Sequence, residues 1–231
     1  MKTSNKIIIA AGLLVFGFLL LHDFALQAEF KKGDYLSPLY KMEKIKFKDF
    51  DAVKIDPSSR IDLSFHQGPK FEVWVNNGAK SDLLITQRGN ELNIVYKNRS
   101  AGSSSEKRIY IVCPQLKSLI AKSSMKRYYV ENLDVIINNF KQDTMTLQTS
   151  HASTINLFGA TISKLNAGSD TSGGKLNIGP FSHIKDCDID MQGNGELHLY
   201  DVIGAGKVHY KLSPQAIVTL SNDALKLMPQ Q

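Results

Sequence analysis

Cysteine is nearly missing: Cys113 and Cys187 are the only two in 231 residues. That count excludes a disulfide-stapled scaffold and a multi-cysteine metal centre. An excess of one charge is missing too, since 28 Lys and Arg face 22 Asp and Glu. The resulting charge of +6 is spread along the chain, and no recognisable nucleic-acid motif accompanies it. One long apolar run occurs and no second, which excludes a multi-span membrane protein. There is no phosphate-binding loop, dinucleotide fingerprint or serine nucleophile motif. Gly173-Gly174 precedes a strand-like segment rather than a helix, so it lacks the setting for phosphate binding. With 42% apolar and 22% charged residues, the composition is that of an ordinary folded chain.

What is present is a repeat. Ile155/Leu157, Leu176/Ile178, Leu197/Leu199 and Val218/Leu220 recur every 21 residues. Each pair encloses one polar residue: Asn156, Asn177, His198 and Thr219. Successive side chains of a strand point to opposite faces, so each triplet turns two apolar groups inward and one polar group outward. Repetition at a fixed period is the signature of stacked backbone windings. The expected fold class is therefore all-β: a right-handed parallel β-helix, or solenoid, with ~21-residue coils and one apolar helix before it. Both cysteines share the parity of the inward residues and read as small buried hydrophobes. They lie 74 residues apart, about three and a half coils, too far for the roughly 7 Å between Cα atoms that a disulfide allows.

The apolar run is Ile7 to Leu21, preceded by Lys2 and Lys6. Read as a cleaved signal, it has a poor cut site: Ala28 fits the last position, but Leu26 stands where a small residue is needed. Read as an anchor, the helix continues to about Leu26, long enough for a bilayer core of ~30 Å. The two lysines then stay in the cytoplasm. The expected location is a single-pass inner-membrane protein with its C-terminal domain in the periplasm. Secretion or periplasmic release after cleavage near Ala28 is the alternative.

The expected organisation is 1–27 transmembrane signal-anchor or signal peptide, 28–45 linker, and 46–228 β-solenoid domain. Within the last, 46–112 supply N-terminal strands and a cap, and 113–228 supply regular coils. Leu83 to Gln87 and Leu92 to Tyr96 flank Arg88-Gly89-Asn90, a hairpin connection. Arg99 to Lys107 reads as a mobile polar loop. Leu116 falls near the position one period before Val135 and Ile137. Gly173-Gly174 and Gly193-Asn194-Gly195 mark sharp corners.

Order and spacing carry a family resemblance. Phe50-Asp51-Ala52-Val53-Lys54-Ile55 is followed by Ile61-Asp62-Leu63 and Phe71-Glu72-Val73-Trp74-Val75. Then come Leu83-Leu84-Ile85, Gly89-Asn90-Glu91-Leu92-Asn93-Ile94, Ile109 to Val112, and Pro114-Gln115-Leu116. This series resembles the bacterial "putative auto-transporter adhesin, head GIN domain" family of Bacteroidetes-type exported proteins, over about residues 46 to 225. The resemblance implies a β-solenoid at the cell envelope and brings no functional residues. Ser150-His151-Ala152-Ser153 and Ser213-Pro214-Gln215-Ala216 replace two of the family's glycine-serine-glycine corners.

The expected function is a non-enzymatic, envelope-anchored interaction or structural module. Its partner is an envelope polysaccharide or another envelope protein, and it contacts the membrane through the N-terminal helix. One alternative is carbohydrate binding along the outward ladder Asn156, Asn177, His198 and Thr219, with Phe158 and Tyr200 flanking it. Rungs ~4.8 Å apart match the spacing of sugar rings, although asparagine ladders also stabilise a stack by themselves. Another alternative is a polysaccharide lyase or hydrolase using Asp186, Asp188 and Asp190, which share one outward face. Carboxylates two residues apart on a strand are spaced roughly 6.5 Å, compatible with a glycosidase pair. The sequence shows no matching cluster on neighbouring coils, which favours a plain solvated face. The basic-aromatic group Lys122, Lys126, Arg127, Tyr128 and Tyr129 is a second rim candidate. No histidine shows metal-ligand spacing, and no cofactor, metal or nucleic-acid partner is implied.

Overall fold

The computed structural model describes residues 3–32, 37–56, 61–97, 107–122, 133–151, 153–200 and 206–227. The chain divides into two units, Met1–Lys41 and Met42–Gln231. The first is built on α1 (Thr3–Lys32), a helix of 30 residues. Its Ile9–Ala28 segment of 20 residues is apolar and long enough to cross a membrane, about 30 Å at helical rise. Leu14, Phe18 and Leu21 on this helix are exposed.

The second unit is mostly β. In chain order it runs β1 (Met42–Ile45), β2 (Ala52–Asp56), β3 (Ile61–Gln67), β4 (Glu72–Asn76), α2 (Asn77–Asp82) and β5 (Leu83–Arg88). Then come β6 (Glu91–Tyr96), β7 (Lys107–Cys113), β8 (Ser118–Ala121), β9 (Leu133–Asn138), β10 (Lys141–Thr149) and β11 (Ser153–Phe158). The series ends with β12 (Thr161–Ser169), β13 (Lys175–Ile178), β14 (His183–Met191), β15 (Glu196–Tyr200), β16 (Lys207–Leu212), β17 (Ile217–Ser221) and a 3-10 turn, Asn222–Leu227. Met42–Ile45, within the stretch read as linker, is thus a strand.

Two sheets hold these strands. The first has nine, in the order β1-β4-β7-β3-β9-β11-β13-β15-β17, and the second eight, in the order β16-β14-β12-β10-β8-β2-β6-β5. From β8 onward the chain alternates between the sheets, and from β10 onward each strand pairs in parallel with the strand two before it. The N-terminal part departs from a pure parallel β-helix. β1 with β4, β4 with β7, and β5 with β6 are antiparallel, so both sheets are mixed, and neither closes into a barrel. For β5 and β6 the physical reason is connection length. Only Gly89 and Asn90 join β5 to β6, with Gly89 at φ 60°, a tight turn that reverses the chain and cannot make a parallel crossover.

The core is a set of aliphatic ladders between the sheets. Leu63, Val135, Ile155, Leu176, Leu197 and Val218 are register partners in succession. The first five are buried and Val218, on the last strand, is partly buried. The partner before Val135 is therefore Leu63 rather than a residue near Leu116. Leu116 is buried elsewhere, with its backbone N–H and C=O bonded to the Gln142 side chain. In the second sheet Leu147, Ala167, Ile189 and Tyr210 align, at spacings of 20, 22 and 21 residues. Corners absorb the difference. Asn139, Gly159 and Phe181 all adopt φ near +60° where the chain leaves the first sheet for the second. On the opposite side Gly174 has φ 129°, and a Cβ there would lie 1.9 Å from Thr149 Oγ1; only glycine fits.

Two expectations change in detail. Lys107 starts β7 with a side chain 1% exposed, 3.4 Å from Asp82, instead of belonging to a mobile loop; 98–106 lie outside the described residues. Cys113 and Cys187 are free and buried, but five strand steps separate β7 from β15 in the first sheet, and the same number separates β6 from β14 in the second. At ~4.8 Å per step that is about 24 Å, more than three and a half coils. The winding β2–β3 sits between β6–β7 and β8–β9 and adds the extra rung.

Candidate outer-face sites

The strands of the first sheet bring Asn156, Asn177, His198 and Thr219 into one outward row of register partners. On the other side of Asn156 the same row continues through Ile136, Ser64, Tyr110, Trp74 and Lys44. The asparagines serve each other: Asn177 Nδ2 donates to Asn156 Oδ1 at 2.7 Å, and Asn156 Nδ2 donates to Asp134 Oδ1 at 2.7 Å. Beyond them the chain of bonds stops. Asn177 Oδ1 and His198 Nε2 are buried without a hydrogen bond among the described residues. His198 Nε2 lies 3.5 Å from Glu196 Oε2, an ion-pair distance without hydrogen-bonding geometry, while Nδ1 meets the Tyr200 hydroxyl at 2.9 Å.

Phe158 and Tyr200 flank this row but do not form one platform. Gly179 stands between their strands, and the Phe158 ring covers the place where its Cβ would be. The ring is thus packed on its own sheet. The N-terminal half of the face carries aromatics that the repeat does not reveal. His66 stacks on Tyr110 with ring centroids 4.5 Å apart, and burial pulls its pKa below the ordinary histidine value. Trp74 Nε1 donates to Glu72 Oε2 at 3.2 Å, and Lys44, paired with the same carboxylate, lies 5.5 Å from the Trp74 ring centroid. Strand parity in β4 and β7 puts Trp74 and Tyr110 outward. Their place beside the ladder depends on the order β4-β7-β3-β9, which no period encodes.

The outer face of the second sheet holds Asp186, Asp188 and Asp190. Neighbouring coils bring lysines, an asparagine and one histidine beside them, with no cluster of carboxylates, arginines or histidines among these register partners. Register pairs Asp186 with Lys164 and Lys207, Asp188 with Asn166 and His209, and Asp190 with Gly168 and Lys211. Lys164 Nζ reaches Asp188 Oδ2 at 3.0 Å, and Lys211 Nζ reaches Asp190 Oδ2 at 2.9 Å. Hydrogen bonds from Lys211 and then Gln192 hold the Asp190 carboxyl below its ordinary pKa, outweighing its slight burial. These contacts were hidden by the 20- and 22-residue spacings of the second sheet. A trough of about 690 Å³ lies here, bordered by Thr146, Gln148, Asn166, Asp188, Asp190 and His209. Gly168 opens its floor: a Cβ there would come within 2.3 Å of the Asp190 carbonyl oxygen.

Among the described residues no three His, Cys, Asp or Glu side chains converge as a metal site. Of the basic-aromatic candidate, Lys126, Arg127, Tyr128 and Tyr129 lie outside the described residues.

Comparison with known proteins bears on the architecture. A putative adhesin from Parabacteroides distasonis ATCC 8503, solved by crystallography, superposes with a TM-score of 0.56 at 17% identity, covering 78% of this chain and 77% of that one. A putative adhesin from Bacteroides fragilis NCTC 9343 gives 0.52 at 18% identity, covering 78% and 91%. At such identity the likeness concerns the fold alone. A search of curated proteins finds no match. Residues 49–223, which span both sheets and both outer faces, match the family described as "Putative auto-transporter adhesin, head GIN domain", and the chain belongs to that family.

Proposed function

We propose that this protein is a non-enzymatic interaction module of the cell envelope. In this reading α1 is an uncleaved anchor in the inner membrane, Lys2 and Lys6 stay cytoplasmic, and Met42–Gln231 works in the periplasm. The β unit is read as a right-handed parallel β-solenoid over its C-terminal windings, capped by antiparallel strands at the other end. The observation that carries the reading is the single register-aligned row of outward side chains, from Lys44 to Thr219, across all nine strands of the first sheet. An extended face of this kind suits contact with another long surface rather than enclosure of a small substrate. The adhesin-like family supports the same reading.

Carbohydrate recognition along Asn156, Asn177, His198 and Thr219 is the closest alternative for that face. It is weakened because Asn156 and Asn177 spend their donors on each other and on Asp134. Hydrolysis by the Asp186–Asp190 row is disfavoured. A glycosidase needs one carboxyl with a raised pKa as acid, whereas Asp190 is shifted downward and Asp188 is paired with Lys164. The test uses the full chain reconstituted in liposomes and mixed with isolated envelope fragments. Proteoliposomes should co-sediment with the fragments and protein-free liposomes should not. Equal sedimentation of the two overturns the proposal. Sequencing the mature N-terminus tests the anchor, which predicts that residues before Ala28 are retained.

A further inference from the structure

We infer that the trough on the second sheet is a binding site for a neutral, linear, polyhydroxylated chain, a glycan lying across the strands. This rests on the interaction reading above and moves the contact to the opposite face from the asparagine ladder.

The argument begins with unspent hydrogen-bonding capacity. Among the described residues, the side chains of Thr146, Gln148, Asn166 and His209 bond to no other protein group. Asp188 uses Oδ2 for Lys164 and leaves Oδ1 available. These groups sit on four consecutive strands, β10, β12, β14 and β16, so they repeat every ~4.8 Å over about 14 Å. The set mixes donors and acceptors: a hydroxyl, two amides, an imidazole and a carboxylate. A sugar chain, which offers hydroxyls that both donate and accept at similar intervals, satisfies such a set. An apolar ligand leaves it unsatisfied.

Shape and charge narrow the ligand further. The volume of about 690 Å³ falls within the range of ligand sites. The missing side chain at Gly168 lets a ring approach the backbone between Gln148 and Asp190. Asp170, Asp188 and Asp190 border the trough, and Lys164 and Lys211 neutralise two of them. One carboxylate remains in excess, which disfavours uronate-rich chains and leaves neutral ones acceptable.

The experiment uses the full chain in detergent micelles on a printed array. The probes are gluco-, manno-, xylo- and N-acetylgluco-configured linear hexasaccharides, with polygalacturonate as the acidic comparison. At least one neutral hexasaccharide should bind in preference to polygalacturonate. Asn166→Ala and the trough-filling Thr146→Trp should each weaken that binding about tenfold, the scale of one or two lost hydrogen bonds. The double variant Asn156→Ala, Asn177→Ala should leave it unchanged. Thermal melts by circular dichroism check that each variant is folded. Thr146 is exposed and Asn166 partly so, and neither belongs to the core. Binding that ignores both trough variants, or that prefers polygalacturonate, overturns the inference. If no hexasaccharide binds while the wild-type proteoliposomes still sediment with envelope fragments, this inference falls and the interaction reading survives. If both signals are absent, both fall.

Discussion

Leu176 and Asn177 are neighbours in β13 that face opposite ways, so the same new carboxylate has different costs at the two positions. Leu176 is fully buried between Ile155 and Leu197. Leu176→Asp puts an unpaired charge in an aliphatic ladder, at a cost of several kcal/mol, and should abolish the cooperative urea transition. Asn177→Asp turns the donation to Asn156 into two facing acceptors, on an outward, partly buried row beside solvent. It should shift the same transition by about 1 kcal/mol. The cysteines make a second test at this scale. Burial pushes both thiols up to about 12, helped by Asp51 beside Cys113 and Asp188 beside Cys187. A disulfide-exchange reagent at pH 8 should label neither in the folded protein and both in denaturant, because only the thiolate attacks. Rapid labelling of either in the folded state would contradict this core arrangement.

Among the elements, the corners and the pins between windings carry the stability questions. Phe181 holds the same left-handed corner as Asn139 and Gly159, yet its side chain is 74% exposed. A bulky residue there costs roughly 1–2 kcal/mol in backbone strain with little burial in return. Phe181→Gly should therefore raise the melting temperature, even after glycine's entropic cost, and a lower value would show that the ring packs on something important. Asp51 pins three windings together. Its carboxylate pairs with Lys117 at 2.6 Å and accepts from Asn90, while its carbonyl accepts from Lys117 N–H at 2.7 Å. Burial alone would raise its pKa, but hydrogen bonds from Lys117 and Asn90 and the charge of Lys117 outweigh burial and depress it. A depressed carboxyl contributes stability above its unfolded value, near 4, and loses it as pH falls through the folded value. Melting temperature should drop between pH 5 and pH 3, and drop less in Asp51→Asn.

The repeat from Ile155 to Leu220 was readable because four first-sheet strands keep a constant 21-residue spacing and a clean parity. In the second sheet, 20 residues part Leu147 from Ala167 and 22 part Ala167 from Ile189. No fixed period therefore aligned Lys164 with Asp186, and the trough stayed hidden. The N-terminal strands were harder still. Leu63 meets Val135, 72 residues later, and that pairing is set by which winding is enclosed, a property of the whole molecule. The Trp74–Tyr110 neighbourhood has the same origin.

That enclosed winding has a consequence for the order of events when the protein comes apart. β2–β3 is gripped by neighbours on both sides, whereas β16 and β17 each have one paired neighbour and end the stack. In a linear array, each rung is held mainly by the next, so opening starts where only one side is held. Amide hydrogens should exchange fastest in the edge strands β16, β17, β1 and β5, more slowly through β14 and β12, and slowest in β2 and β3, giving a graded unzipping from the ends toward the enclosed winding. Uniform protection along the stack would mean that the windings open together, as one block.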